Sequence, residues 1–88
     1  MNSLSALRES IDAVDEQLLT LLAHRFELTA EVGQLKKQLG LPALDSAREA
    51  VQMQRFAELA ARHGLPPDLV QQIMRLVIDE VVSRHRQL

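Results

Sequence analysis

The chain has 88 residues, nearly half of them hydrophobic (47%), which makes one domain, residues 1–88, near the small end for independent folding. A net charge of −2 with both signs interspersed, and only two aromatic residues, Phe26 and Phe56, argue against a general nucleic-acid binder. The absence of cysteine excludes disulfides and thiolate metal sites. The apolar mass is Leu, Val, Ile and Ala, which suits helix packing better than a β-sandwich. Met1-Asn2-Ser3-Leu4 offers neither a basic start nor an apolar run, so the expectation is a soluble cytoplasmic protein without signal peptide or membrane anchor.

The first predicted helix runs from about Ser3 to Leu39. Leu4, Leu7, Ile11, Val14, Leu18, Leu21, Leu28, Val32, Leu35 and Leu39 recur in steps of three and four. Ser3 is the candidate N-cap, Asp12, Asp15 and Glu16 sit early and Lys36 and Lys37 late for the helix dipole, and Gly40 and Pro42 end the helix. Gly33 costs under about 1 kcal/mol and does not end it. At ~1.5 Å per residue such a helix is about 55 Å long. A compact domain of this size has a radius of gyration of about 12 Å, so the stripe asks for a partner helix, most simply from a second copy.

The stripe has one gap, between Leu21 and Leu28, and Arg25 fills it. A guanidinium among core-facing positions costs several kcal/mol unless an anion meets it, and no acidic residue shares the stripe. Lys36 lies eleven residues later on the same face, about 16 Å along the axis, so the two long side chains can bracket a small dianion. Arg8 is about 25 Å from Arg25 on the same rod and reaches the same ligand only from an antiparallel partner chain. Taken singly, Arg8 and Lys36 fit a solvated surface equally well, and Arg25 a snorkelled or interface-paired arginine.

A second helix is predicted from about Asp45 to His63, capped by Asp45 or Ser46 and closed by Gly64, with Val51, Phe56, Leu59 and Ala60 on its apolar side. Asp45, Arg48 and Glu49 cluster at its start, where a helix cap and a solvated face compete with a binding role. Pro66 and Pro67 open a third helix whose buried stripe is expected at Leu69, Ile73, Leu76, Val77, Val81 and Leu88. His85 falls on the same side, where a core or interface histidine is the plain alternative. His24, His63 and His85 lack paired metal-ligand spacing, and the serines lack a nucleophile context. The fold class is all-α: one long helix and two shorter ones.

In order, Leu7-Arg8-x-x-Ile11-Asp12-x-x-Asp15, Leu21-Leu22-x-x-Arg25, Val32-Gly33-x-x-Lys36 and Asp45-x-x-Arg48-Glu49 resemble the all-helical AroQ-type chorismate mutases over nearly the whole chain. The resemblance implies an intertwined helical homodimer with two equivalent sites. It also implies the Claisen rearrangement of chorismate to prephenate, without metal, cofactor or covalent intermediate. By the same resemblance Arg25, Arg48 and the partner chain's Arg8 bind the substrate carboxylates, and Lys36 contacts the ether oxygen. Asp45, through its backbone, and Glu49 hold the ring hydroxyl. Many family members carry a small hydroxyl residue and then a Gln or Glu where this chain has Val81 and His85. Valine cannot hydrogen-bond, whereas histidine can donate to the ether oxygen. A 4-amino-4-deoxychorismate mutase, an isochorismate-pyruvate lyase and a non-catalytic helical dimerisation module are the competing readings.

Overall fold

A computed structural model describes residues 3–88. It contains α1 (Leu4–Leu39), α2 (Ser46–Arg62) and α3 (Pro67–Arg86), and no strand among the described residues. The fold is all-α, and both ends of α1 and α2 and the start of α3 lie within a residue of the sequence expectation. The Ser3 Oγ accepts the Ala6 N–H at 3.0 Å, which satisfies one of the free donors at the start of α1. At the other end Gly40 adopts φ 68°, and the Leu41 N–H donates back to the Lys36 carbonyl at 2.8 Å. This is the left-handed turn that glycine makes at little cost. Asp45 caps α2 through its side chain, with Oδ1 accepting the Arg48 N–H at 3.0 Å. Gly64, at φ 67°, repeats the closing turn after α2, and Pro67 starts α3 where a missing N–H costs nothing.

Lys36 and Lys37 occupy the last turn of α1, as the dipole argument expects. The early acids do not fit it: no acidic residue lies in the first turn. Asp12, Asp15 and Glu16 fall beyond the reach of the terminal partial charge, which fades within one turn.

The chain is a rod with a short hairpin folded on one end, measuring 57 × 23 × 15 Å with a radius of gyration of 16.4 Å. Among the described residues α3 packs on both α2 and α1. Ala60 and Ile78 are the buried hydrophobic residues, with Gly33 buried where α1 meets α3. The apolar stripe of α1 is exposed along its whole length, Leu21 being 68% accessible.

The expected stripe of α3 needs correcting within this chain. Leu69, Ile73, Leu76 and Leu88 are exposed, Val77 and Val81 half-buried, and Ile78 buried. Because α3 lies between two helices, its inward side is rotated by about one residue, or 100°. It carries Met74, Ile78, Val81, Val82 and His85 inward instead. On α2, Phe56, Leu59 and Ala60 face in as expected, but Val51 stands exposed.

Candidate functional site

The C-terminal half of α1 places Arg25, Leu28, Thr29, Val32 and Lys36 along one side, at the three-four spacing that stacks side chains on a helix face. The turn before α2 and its first coils add Ala43, Asp45, Arg48, Glu49 and Gln52, and α3 closes the floor with Ile78, Val81, Val82 and His85. Together they line a cleft of about 260 Å³. It gathers Arg25, Lys36, Asp45, Arg48, Glu49, Val81 and His85, all the site residues expected from the sequence except Arg8. Arg8 is exposed near the far end of α1, outside the cleft.

Arg25 is half-buried and its Nη1 has no hydrogen-bond partner. Burial, and then the neighbouring Arg48 guanidinium, push the Arg25 guanidinium below its ordinary value. Two like charges share one wall, and an anion between them relieves both effects. Lys36 donates from Nζ to the Ala43 carbonyl at 3.1 Å, which steadies the ammonium at the cleft edge and ties the loop to α1.

Glu49 is more tightly held than its position on a helix surface suggests, with a side chain only 15% exposed. Its Oε1 accepts from Arg75 Nη1 of α3 at 2.5 Å, while its Oε2 is buried without a partner. Arg75 also donates to Asp79 at 3.3 Å, and bonds to Glu49 and then Asp79 hold its guanidinium above the ordinary value. The Asp45 carboxylate is used as the cap of α2, which leaves its backbone for other contacts.

His85 bridges α3 to α1, with Nε2 2.8 Å from the Thr29 carbonyl oxygen and Nδ1 buried without a partner. A carbonyl only accepts, so Nε2 carries the hydrogen. In the neutral ring that is the single N–H, and Nδ1 is an acceptor. The contact is possible because residue 33 is glycine: a Cβ there would sit 2.6 Å from His85 Cδ2 and 2.9 Å from Leu88 Cδ1.

Thr29 and Arg75 are positions that sequence reasoning passed over, and Gly33 is one it read only as a tolerated weakness in the helix. A glycine inside a strong helical pattern signals close approach by another element, which was the available clue for Gly33. Thr29 acts through its backbone and Arg75 through a partner 26 residues away, and neither leaves a trace in local spacing. Among the described residues no group of three or more His, Asp or Glu could hold a metal ion.

Three cations and an unsatisfied carboxylate oxygen line one helical cleft with an apolar floor, an arrangement suited to a small ligand with more than one anionic group and a hydrogen-bond donor. The chain belongs to the chorismate mutase type II family, whose model matches residues 7–86. It is 47% identical over 77 residues to a T-protein of Enterobacter agglomerans, covering 88% of this chain and 21% of that protein. It is 39% identical over 87 residues to a bifunctional chorismate mutase/prephenate dehydratase of Escherichia coli, covering 99% of this chain and 22% of the relative. A chorismate mutase of Methanocaldococcus jannaschii is 29% identical over 87 residues, covering 99% of this chain and 88% of that protein. The chain thus spans about a fifth of the length of the first two relatives.

Proposed function

We propose that this chain catalyses the Claisen rearrangement of chorismate to prephenate, on the route to phenylalanine and tyrosine. The observation that carries the reading is the pairing of unsatisfied groups in one cleft. Arg25 presents a buried donor without an acceptor beside Arg48, and Glu49 presents a buried acceptor without a donor. Chorismate has two carboxylates and a ring hydroxyl, and it supplies the missing partner of each. The cleft volume of about 260 Å³ is near the lower end for ligand pockets, about 300 Å³, which suits a compact, chair-like conformer.

The reaction is unimolecular: the ether C–O bond breaks while a C–C bond forms, and no proton is transferred. The protein's tasks are to hold the reactive conformer and to stabilise charge that develops on the ether oxygen. Arg25 and Arg48 bind carboxylates, Glu49 and the Asp45 backbone hold the ring hydroxyl, and Val81 supplies an apolar wall. Lys36 meets the ether oxygen, an interaction that strengthens as the bond breaks and so favours the transition state over the ground state. His85 adds a second donor there only as imidazolium, because its neutral N–H is held by Thr29.

The site is completed by a second copy, which delivers Arg8. A compact chain of 9.9 kDa exposes about 5,200 Å², whereas this one exposes 6973 Å². The excess, about 1,800 Å², is the scale each partner gives to an obligate homodimer. The exposed α1 stripe is the surface such a dimer would cover. No helix among the described residues is long and apolar enough to cross a membrane, and a cytoplasmic location is part of the same proposal.

Incubation of the purified protein with chorismate, with prephenate followed as product, tests the reading. Turnover with kcat/KM of at least about 10⁴ M⁻¹s⁻¹, the lower end for enzymes, is expected. A protein that neither turns over chorismate nor binds a bicyclic dicarboxylate mimic of the transition state would be a dimerisation module instead.

A further inference from the structure

We infer that Arg75, which lies outside the cleft, sets the choice between a neutral hydroxyl and a cationic ammonium on the substrate ring. The inference rests on the reading of the cleft as a chorismate site. Glu49 is the acidic side chain that faces the ring substituent in that reading. A free carboxylate in a partly desolvated cleft favours a cation over a neutral donor, since the charge–charge attraction is added to the hydrogen bond. Here the carboxylate is not free. Arg75 bonds its Oε1 at 2.5 Å from the α3 side, and leaves Oε2 buried and unpartnered.

The result is an acceptor whose charge is already balanced. The second cleft carboxylate, Asp45, accepts the Arg48 N–H as the cap of α2 and is exposed, so water screens the charge it keeps. Asp79, which shares Arg75, is well exposed, with a side chain 63% accessible, so water screens its charge. Against these stand Arg25, Lys36 and Arg48, all lining the cleft. An ammonium at the ring would enter a field dominated by cations with no buried, uncompensated carboxylate to meet it. A hydroxyl needs only the lone pair that Oε2 offers. Arg75 is therefore a positioning residue: it aims Glu49 and cancels its charge without touching substrate.

The test compares kcat/KM for chorismate and for 4-amino-4-deoxychorismate in the wild type, Arg75→Gln and Arg75→Lys, with melting curves as a fold control. Arg75 is half-buried on a helix surface and glutamine is a good helix former, so the variant is expected to fold. Arg75→Gln should lower kcat/KM for chorismate about tenfold, mainly through KM, because no bond to the ring hydroxyl is made or broken in the rearrangement. The preference for chorismate over the amino analogue should fall by tenfold or more, and Arg75→Lys should restore most of it. In a Glu49→Gln background, Arg75→Gln should leave the preference unchanged, since its effect runs through the carboxylate. An active wild type whose Arg75→Gln variant loses both substrates in parallel, or neither, overturns the inference and leaves the chorismate reading standing. A wild type inert on both substrates overturns that reading, and the inference with it.

Discussion

His85 donates its Nε2–H to the Thr29 carbonyl oxygen at 2.8 Å, and this bond joins the end of α3 to the C-terminal half of α1. The neutral imidazole has one N–H, so while the bond stands the ring has nothing left to donate. Protonation adds a hydrogen at Nδ1, the buried nitrogen without a partner. On the proposed reading, the bond at Nε2 and a second donor at Nδ1 would coexist only in the imidazolium.

His85→Gln should keep much of kcat, because an amide can donate without gaining a proton. His85→Ala should lower kcat by about 10²-fold, the usual loss for one electrostatic donor, with the helices intact. Steady-state kinetics and far-UV circular dichroism check both. Near-normal turnover in His85→Ala would remove the residue from the mechanism.

Gly33→Ala sets two effects against each other. Alanine gains about 1 kcal/mol of helix propensity. Its Cβ, however, would stand 2.6 Å from His85 Cδ2, and the ring is tethered and cannot swing aside without losing Thr29. Overpacking costs about 1–3 kcal/mol. Net destabilisation by about 1 kcal/mol is expected, or roughly 4–8 °C in melting temperature. The accompanying fall in kcat should vanish in a His85→Ala background, which separates displacement of the ring from general loosening.

Lys36→Ala should reduce kcat by about 10²-fold or more and change KM little if, as proposed, Lys36 meets the ether oxygen through a contact that grows toward the transition state. A change confined to KM would reassign Lys36 to ground-state binding.

Arg25 sets binding against stability. Its guanidinium is half-buried beside Arg48 with Nη1 unpaired, an arrangement that costs the free protein energy. Arg25→Met should raise the melting temperature by a few degrees and lower kcat/KM by about 10³-fold or more. A lower melting temperature would show that the guanidinium is satisfied in the free protein.

Arg8 is tested by subunit mixing. Arg8→Ala and Arg25→Ala should each be nearly inactive alone. If each site takes Arg8 from one chain and Arg25 from the other, half the dimers after exchange carry one intact site, so activity should return to about a quarter of wild type. No recovery after verified exchange would place both residues in one chain, and an active Arg8→Ala protein would remove Arg8 from the site.

Much of this protein was legible before any coordinates. Ser3, Gly40, Asp45, Gly64 and Pro67 marked the helix ends because capping is local chemistry, satisfied within a few residues. The break at Arg25 and the clusters around Lys36 and Asp45 led to the residues that line the cleft. What depends on how helices lie against one another was not legible. The inward side of α3 settled on Ile78 rather than the Leu69–Ile73–Leu76 edge, because α3 is packed from two directions. Gly33 looked like a tolerated weakness and is the clearance that His85 needs. Periodicity and capping act over one turn of helix, and the amino-acid sequence alone determined the three helices and the groups they carry. The Arg75–Glu49 and His85–Thr29 contacts join residues 26 and 56 positions apart. Only tertiary packing could decide which lone pair and which proton those contacts leave free for a ligand.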